Sequence, residues 1–395
     1  MNKSTDLDQL YKSIMPFDAD DALLVGRVWH DQDRVPGVSP VRITADGIFD
    51  LSELAPTCSE LMNMPDAAKR ILAFGEKRKL GETKEVLLSS LQQGNTRFLS
   101  PIDLQAIKAC GVTFVKSMLE RVIEEKAGGD KSLAMGIRKT LSDAIGRDIS
   151  QVVPGSDAAE QLKEALQKNG LWSQYLEVGI GPDAEVFTKA PVLSSVGLGA
   201  EIGIHPKSSW NNPEPEAVLI INGKAEIVGA SLGNDVNLRD VEGRSALLLG
   251  KAKDNNASAA IGPFIRLFDE KFTLDHVRQE DIHLQINHED GFSLSDVSSM
   301  GEISRDVTDL VGQAINENHQ YPDGIALYLG TMFAPTKDRG LPGSGFTHKV
   351  GDQVHISSVH LGRLSNIVNY SDKAPPWQFG IHALFKNLAD RGHLG

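Results

Sequence analysis

Glu214, Glu216 and Asp235 put three carboxylates inside one short stretch, 207–253, and Arg239 and Lys253 add two cations to it. Glu214 and Glu216 stand two apart at the head of the apolar run Ala217, Val218, Leu219, Ile220 and Ile221, which reads as a β-strand. Side chains two apart on a strand leave the same face, so the two carboxylates point the same way. Like charges held that close respond by raising a pKa or by sharing a cation. With Asp235 as a third oxygen donor the set suits a hard cation. Magnesium or manganese fits best, because three protein ligands leave about three octahedral positions for water and substrate, whereas calcium gathers more.

The same stretch must also supply the elements that position these groups. Asn222-Gly223 predicts a two-residue hairpin turn, since both residues tolerate the positive φ such turns need. A second strand is expected over 225–230, after which Gly233-Asn234-Asp235 forms a turn that aims the third carboxylate at the first two. Asp235 and Arg239, four apart, are expected on one helical face, and Lys253 follows the apolar run Ala246, Leu247, Leu248 and Leu249. Cations beside a carboxylate-bound metal suit an anionic ligand, because the ion offsets only part of the carboxylate charge. The competing expectation is a solvated edge strand, with Pro213 and Pro215 blocking further pairing and with Arg239 and Lys253 in a surface ion-pair network.

Taken in order, Glu214-x-Glu216, then Gly233-Asn234-Asp235-Val236 with Arg239, then Lys251-Ala252-Lys253 leading to Ile261-Gly262-Pro263, resemble the fumarylacetoacetate hydrolase family. The run 324–331 ending in Gly330-Thr331, and the turn and strand at 350–354, continue the resemblance, which spans roughly residues 104–370. WNNPEPE, GNDVNLRD, GKAKDNNASAAIGP and LGTMFAP look most like the long branch of that family, which dehydrates 2-keto-3-deoxy sugar acids. The resemblance implies an α+β fold: the family's mixed β-sandwich roll with a smaller N-terminal α/β domain and a helical insert. It implies Mg2+, with Mn2+ or Ca2+ as substitutes, on Glu214, Glu216 and Asp235, and an active-site lysine at Lys253. It further implies substrate contacts from Arg239, Gly330 and Thr331, and assembly as a homodimer or homotetramer.

The segment GVTFVKSMLE is similar to the family's Gly-x-Asn-Tyr-x-x-His-x-x-Glu, but Thr113 replaces Asn, Phe114 replaces Tyr and Ser117 replaces His, while Glu120 is kept. Ser117 and Glu120, three apart on a helix, share a face and could pair above the metal; Glu120 could equally pair with Lys116, four residues back. The family's hydrolases use the His–Glu pair to deprotonate an attacking water, which wants a base with a pKa near the working pH. Serine cannot do that alone. The function expected is therefore dehydration of a 2-keto-3-deoxypentonate to 2,5-dioxopentanoate, with Lys253, Glu120 and Ser117 catalytic and a small anionic α-keto acid as ligand. Two readings compete: a hydrolase that cleaves a C–C bond in an acylpyruvate or diketo acid, such as a 2,4-diketo-3-deoxy sugar acid, and a non-catalytic α-keto-acid-binding protein.

Composition sets the outer limits. A chain of 395 residues with 41% hydrophobic and 24% charged residues is ordinary for a soluble enzyme of two or three domains. The formal charge of −13 disfavours nucleic acid or an anionic membrane as the main partner, since both demand a basic face. Cys58 and Cys110 give neither a disulfide framework nor a thiolate metal site, and read as buried free thiols. The first 21 residues have no apolar core of signal-peptide length and no later stretch reaches the length of a membrane span, so a cytoplasmic protein is expected.

Domains 1–100 and 101–395 are expected, divided at Ser100-Pro101, with a helical insert at about 113–170. Residues 1–21 read as a loosely held arm, followed by strands near 23–29 and 40–44 and helices near 58–74 and 83–93. A strand over 105–112 leads to a helix from Thr113 that places Phe114, Met118, Val122 and Ile123 on one stripe. Leu133, Ile137, Leu141 and Ile145 predict a second helix, and Asp157 with Glu160 starts a third before Leu162 and Leu166. Strands near 184–189 and 202–205 and a helix over 301–317 follow. None of the histidines pairs with another at a metal-binding spacing, and Gly197-Leu198-Gly199 is a turn.

Overall fold

The computed structural model of the chain describes residues 3–128, 130, 133, 152–168, 172–331, 335, 337–339 and 345–394. Its largest element is a mixed sheet whose strands lie in the order Lys79–Gly81, Ile48–Asp50, Gly37–Ile43, Leu24–His30, Ala259–Leu267, Ile227–Asp235, Pro215–Ile221, Ile325–Tyr328, Ala106–Gly111 and Glu185–Ala190, with Arg97–Phe98 paired to Leu24–His30. A second sheet runs Ser293–Ser299, Asp281–Asn287, Gln353–Ser358, Gly362–Tyr370 and Glu201–Ile204.

The strand Pro215–Ile221 lies in the middle of the large sheet, paired with Ile227–Asp235 on one side and Ile325–Tyr328 on the other. This overturns the edge-strand expectation. Its five apolar residues are consecutive because both faces are covered. Leu219 and Ile221 pack toward Ile282, Leu284, Ile286, Val354 and Ile356 of the second sheet. Val218 and Ile220 face the opposite way, into a cluster with Leu61, Met62 and Ile71. A strand buried on both faces reads as an unbroken apolar run, whereas Asp281–Asn287, covered on one face, alternates exposed and buried positions.

Several local expectations change for identifiable reasons. The hairpin loop has three residues, Gly223, Lys224 and Ala225: Asn222 N–H donates to Glu226 O at 3.0 Å, and Ala225 takes a left-handed φ of 63°. The returning strand runs to Asp235, so the third carboxylate sits on a strand and no turn aims it. The helix expected over 58–74 splits into Cys58–Asn63 and Ala67–Phe74, because Met64 precedes Pro65 and is extended. The helix expected from Thr113 begins at Val115, since Phe114 forms a bridge with Ile303. That expected over 301–317 shortens to Val307–Ala314, capped by Asp306, which accepts from Thr308 N–H at 2.9 Å.

The N-terminal arm is not loose. Lys3–Ile14 is a helix, Ile14 is fully buried, and Asp18 forms two hydrogen bonds with Arg266 at 2.7 and 2.6 Å. Leu24 and Val25 pair with Arg266 and Ile265, so the N-terminal strands extend the large sheet. On the other side, Val115–Lys126, Asp157–Lys168 and Gln174–Ile180 bury Met118, Val122, Ile123, Leu166 and Leu176 against Trp210. Ile137, Leu141 and Ile145 of the expected intervening helix lie outside the described residues. Among the described residues no helix is long and apolar enough to cross a membrane.

Gly233 shows how closely the site-bearing strands are packed. A Cβ there would lie 2.3 Å from the ring of Tyr328 and 2.6 Å from Val218. Tyr328 cannot retreat easily, being fully buried with its hydroxyl donating to Ala260 O at 2.7 Å. Gly233→Ala is expected to destabilise by about 1–3 kcal/mol through overpacking. In Gly312→Ala the added methyl meets nothing within 4 Å on an exposed helix turn, so stability should hold or rise. Urea unfolding of both variants checks this through the shift in midpoint.

Candidate metal centre and active site

Glu214, Glu216 and Asp235 converge because adjacent antiparallel strands carry them. Pro215 is paired with Asn234, and Glu216 with Gly233, so the head of one strand meets the tail of the other. Asp235 N–H donates to Glu214 O at 3.0 Å, and Glu214 N–H to Asn234 Oδ1 at 3.0 Å, which locks the approach. One carboxylate oxygen from each of the three residues lies within 4.8 Å of the others, and all three side chains are buried.

Each carboxylate has a different set of partners. Glu214 accepts from the Asn237 amide at 2.9 Å and from both Arg121 and Lys253. Lys253 Nζ also donates to Asp235 Oδ2 at 2.9 Å, so one ammonium bridges two of the three carboxylates. The other Asp235 oxygen lies 2.8 Å from Lys189 Nζ, a charge contact without the alignment of a hydrogen bond. Glu216 accepts from Gly330 N–H at 2.7 Å and from the Thr331 hydroxyl at 3.2 Å, and no described cation pairs with it. Gly330 reaches it with φ at 99°, and a Cβ there would meet Thr113 Oγ1 at 2.0 Å. Only glycine fits this corner.

The electrostatics follow from these partners. Burial raises the Glu214 carboxyl, but Arg121 and Lys253 outweigh it and hold it down at about 2. Burial, with Asp235 and Glu214 adding to it, pushes Glu216 well above the carboxylate range. Lys253 is lowered by burial and raised more strongly by Asp235 and Glu214, so it remains an ammonium at neutral pH. Arg121, Lys253 and Lys189 reach Glu214 and Asp235, but no described cation reaches Glu216, so positive charge is short at that carboxylate. A hard divalent ion with oxygen ligands supplies that charge, so the donor set fits magnesium.

Of the residues singled out in the sequence, Glu214, Glu216, Asp235, Lys253, Gly330 and Thr331 come together. Arg239 and Glu120 form an adjoining pair, 3.3 Å apart, with the guanidinium stacked 4.2 Å from the centre of the Trp210 ring. Arg239 opens the short helix Arg239–Glu242 while Asp235 ends a strand, so the two do not share a helical face. Gly330 and Thr331 bond to Glu216 in this structure. Ser117 falls within the helix Val115–Lys126, and its side chain lies outside the described residues. Cys58 and Cys110 are buried free thiols, as expected.

Sequence reading missed Arg121, Glu242, Lys189, Asn237 and Glu185. Arg121 bridges Glu214 and Glu242, the latter at 3.2 Å. A signal for the strand residues was present: Glu185, Phe187 and Lys189 alternate along a strand that was expected, and such alternation places them on one face.

Glu216→Gln and Asp235→Asn are expected to lose magnesium affinity by more than the roughly 10–100-fold that removal of an outer-sphere partner costs. Without metal the thermal midpoint of Glu216→Gln should hold, because Glu216, its pKa pushed up by burial, keeps its proton there and a neutral amide of the same shape replaces it. In the parent, affinity should weaken as pH falls, since Glu216, with its pKa pushed up, must give up its proton to bind the ion. Calorimetric titration with magnesium across pH reads both effects.

No family model matches the chain. In sequence it is 25% identical over 305 residues to 2-dehydro-3-deoxy-D-arabinonate dehydratase of Saccharolobus solfataricus, covering 76% of this chain and 85% of that one. It is 28% identical over 210 residues to a probable 2-keto-3-deoxyxylonate dehydratase of Haloferax volcanii, covering 53% of this chain and 68% of that one. In structure it matches 2-keto-3-deoxy-D-arabinonate dehydratase complexed with magnesium and 2,5-dioxopentanoate, at a TM-score of 0.60 and 21% identity over 88% of this chain and 99% of the other. It also matches fumarylacetoacetate hydrolase of Exiguobacterium antarcticum, at a TM-score of 0.54 and 14% identity over 88% of this chain and 100% of the other. The chain thus has the α+β fold of the fumarylacetoacetate hydrolases, and its sequence is similar to dehydratases of 2-keto-3-deoxypentonates.

Proposed function

We propose that this chain dehydrates a 2-keto-3-deoxypentonate to 2,5-dioxopentanoate. The observation that carries the reading is the buried Glu214, Glu216 and Asp235 group with Lys253 laid across two of its members. Both sequence relatives named above are dehydratases of such acids, and the fold neighbour holds magnesium together with 2,5-dioxopentanoate. A divalent ion on the three carboxylates would polarise the C2 carbonyl of an α-keto acid and make its C3 hydrogens more acidic.

The protein's own groups take the remaining roles. Lys253 is held in its charged form, so it stabilises the oxyanion that forms when C3 loses a proton. Glu120, 3.3 Å from Arg239, is the carboxylate that takes the C3 proton, and Ser117 is assigned beside it from its place in the sequence motif. Arg239, stacked on Trp210, offers its charge to the substrate carboxylate, and the Gly330 N–H and Thr331 hydroxyl orient oxygens beside Glu216.

Dehydration is favoured over C–C hydrolysis because hydrolysis needs a base for an attacking water. Ser117 stands where the resembling hydrolases carry histidine, and no histidine is among the described residues that line the cleft beside Glu214 and Lys253. The protein works in the cytoplasm, where Cys58 and Cys110 stay reduced. It assembles as a homodimer or homotetramer, in keeping with Trp377, Ile381 and Phe385 left 46–47% exposed near the C terminus.

A panel of 2-keto-3-deoxy sugar acids with magnesium should yield a product lighter by one water from the pentonates, and acetylpyruvate should remain uncleaved. Mass detection of cleavage products without water loss would replace this reading with the hydrolase. Lys253→Ala should lower kcat by about 10²-fold or more with a much smaller change in KM, because stabilisation of a developing charge acts mainly in the transition state. Lys251→Ala is the control, since Lys251 is exposed two residues away. Equal, small effects of the two substitutions would make Lys253 a structural ion-pair partner.

A further inference from the structure

Glu185 has no part in holding the proposed metal, yet it opens into the same cleft. It begins the strand Glu185–Ala190, opposite Gly111 at the end of Ala106–Gly111. A Cβ on Gly111 would lie 1.8 Å from Glu185 Oε2, so the carboxyl occupies the space a side chain at Gly111 would fill. The neighbours on its face of the strand point at the site: Phe187 lies under the Lys253 ammonium, 5.7 Å from ring centre to Nζ, and Lys189 touches Asp235. Glu185 lines a narrow pocket of about 10 Å³, room for a single water, with Glu214, Lys253, Arg121, Glu242 and Thr331, so a substrate reaching it must widen this pocket. Among the described residues none hydrogen-bonds to its carboxyl.

Dehydration to a 2,5-dioxo acid involves two rounds of proton transfer. C3 gives up a hydrogen, the C4 hydroxyl must leave as water, C5 then gives up a hydrogen, and C3 regains one before the resulting enol becomes the aldehyde. A single base that has taken the C3 proton could protonate the leaving hydroxyl, but would then have to serve C5 and C3 on different parts of the substrate. Two groups divide the work without net change in either.

Resting on the dehydratase reading, we infer that Glu185 is the second proton-transfer group, which gives its proton to the departing C4 hydroxyl and takes one back from C5. As the C4–O bond breaks, its electron pair leaves with oxygen, which the Glu185 proton converts to water, and C3 and C4 become doubly bonded. The Glu185 carboxylate so formed then removes a hydrogen from C5. The electrons shift through C4 and C3 to the C2 oxygen, and Glu120 returns its proton to C3. The enol left at C4 and C5 becomes the aldehyde by losing the C5 hydroxyl proton and gaining one at C4. One water is lost overall, and both glutamates end as they began.

The environment suits the role. Burial, followed by the facing Glu242 carboxylate, pushes the Glu185 carboxyl up to about 7, while Lys253 and Arg121 pull it down and Glu214 adds a smaller upward push. The Cys110 thiol from the neighbouring strand is itself raised by burial and stays uncharged. The acid form is therefore present below pH about 7 and is lost as pH rises through it.

The test is Glu185→Gln in the full chain with magnesium, using 2-keto-3-deoxypentonate in D2O. The expected result is a fall in kcat of about 10²-fold or more, with KM and magnesium affinity little changed and the alkaline limb above pH about 7 absent from the residual rate. Deuterium incorporation at C3 of recovered substrate, read by mass, should persist in Glu185→Gln and be lost in Glu120→Gln, which separates the two proton transfers. Glu185→Asp should recover part of the rate. A parent that dehydrates while Glu185→Gln keeps its kcat and alkaline limb overturns the role of Glu185 alone. A parent that exchanges or binds the substrate but never releases water overturns the dehydratase reading and this inference together.

Discussion

Three carboxylates buried within 4.8 Å of one another are the constraint on which the rest of the structure depends. Unscreened carboxylates at that distance cannot all stay ionised unless positive charge is brought to them. The fold brings it from four directions. Lys253 comes from a short helix, Lys189 from the strand Glu185–Ala190, Arg121 from the helix Val115–Lys126, and the Gly330 N–H from a glycine corner. Glu216 alone has no cation among its described hydrogen-bond and ion-pair partners, and burial, with Asp235 and Glu214 adding to it, pushes its pKa well up. A divalent ion would supply the positive charge that no described side chain brings to Glu216.

The surrounding architecture follows from the need to keep this group dry and fixed. Pro215–Ile221 is central in its sheet and buried on both faces, so Glu214 and Glu216 have little freedom to move. Gly233 and Gly330 allow approaches that any Cβ would block. The helix Val115–Lys126, which carries both Glu120 and Arg121, is anchored through Met118 and Val122 against Trp210, and Trp210 in turn supports Arg239. Packing of the helical layer and placement of charge at the site are thus linked through the same few residues.

Much of this was legible in the sequence where the signal is local. Glu-x-Glu ahead of an apolar run gave the strand and the shared face, and the order of motifs gave the family fold. Asp235 was chosen correctly for the cluster but on wrong local grounds: the loop is longer than Asn222-Gly223 suggested, and the strand continues to Asp235 itself. The edge-strand alternative failed because Pro213 and Pro215 mark the entry to a central strand, where the partner on the far side is Ile325–Tyr328, about a hundred residues away. Arg121 and Lys189 were not legible, since each pairs with a residue far along the chain and a lone arginine or lysine carries no local mark of burial. Glu185 was hidden for a similar reason: its significance depends on the space over Gly111 that its carboxyl fills and on Lys253, neither visible from the strand alone.

The placement of the ion is tested most directly by anomalous diffraction from crystals soaked in manganese, which substitutes for magnesium and scatters strongly. The expected result is one ion bonded to oxygens of Glu214, Glu216 and Asp235 at about 2.1–2.2 Å, with the Lys253 ammonium moved off its bridge between Glu214 and Asp235. Manganese at saturation bound elsewhere, with Lys253 still spanning the two carboxylates, would contradict the assignment of these residues as the metal site.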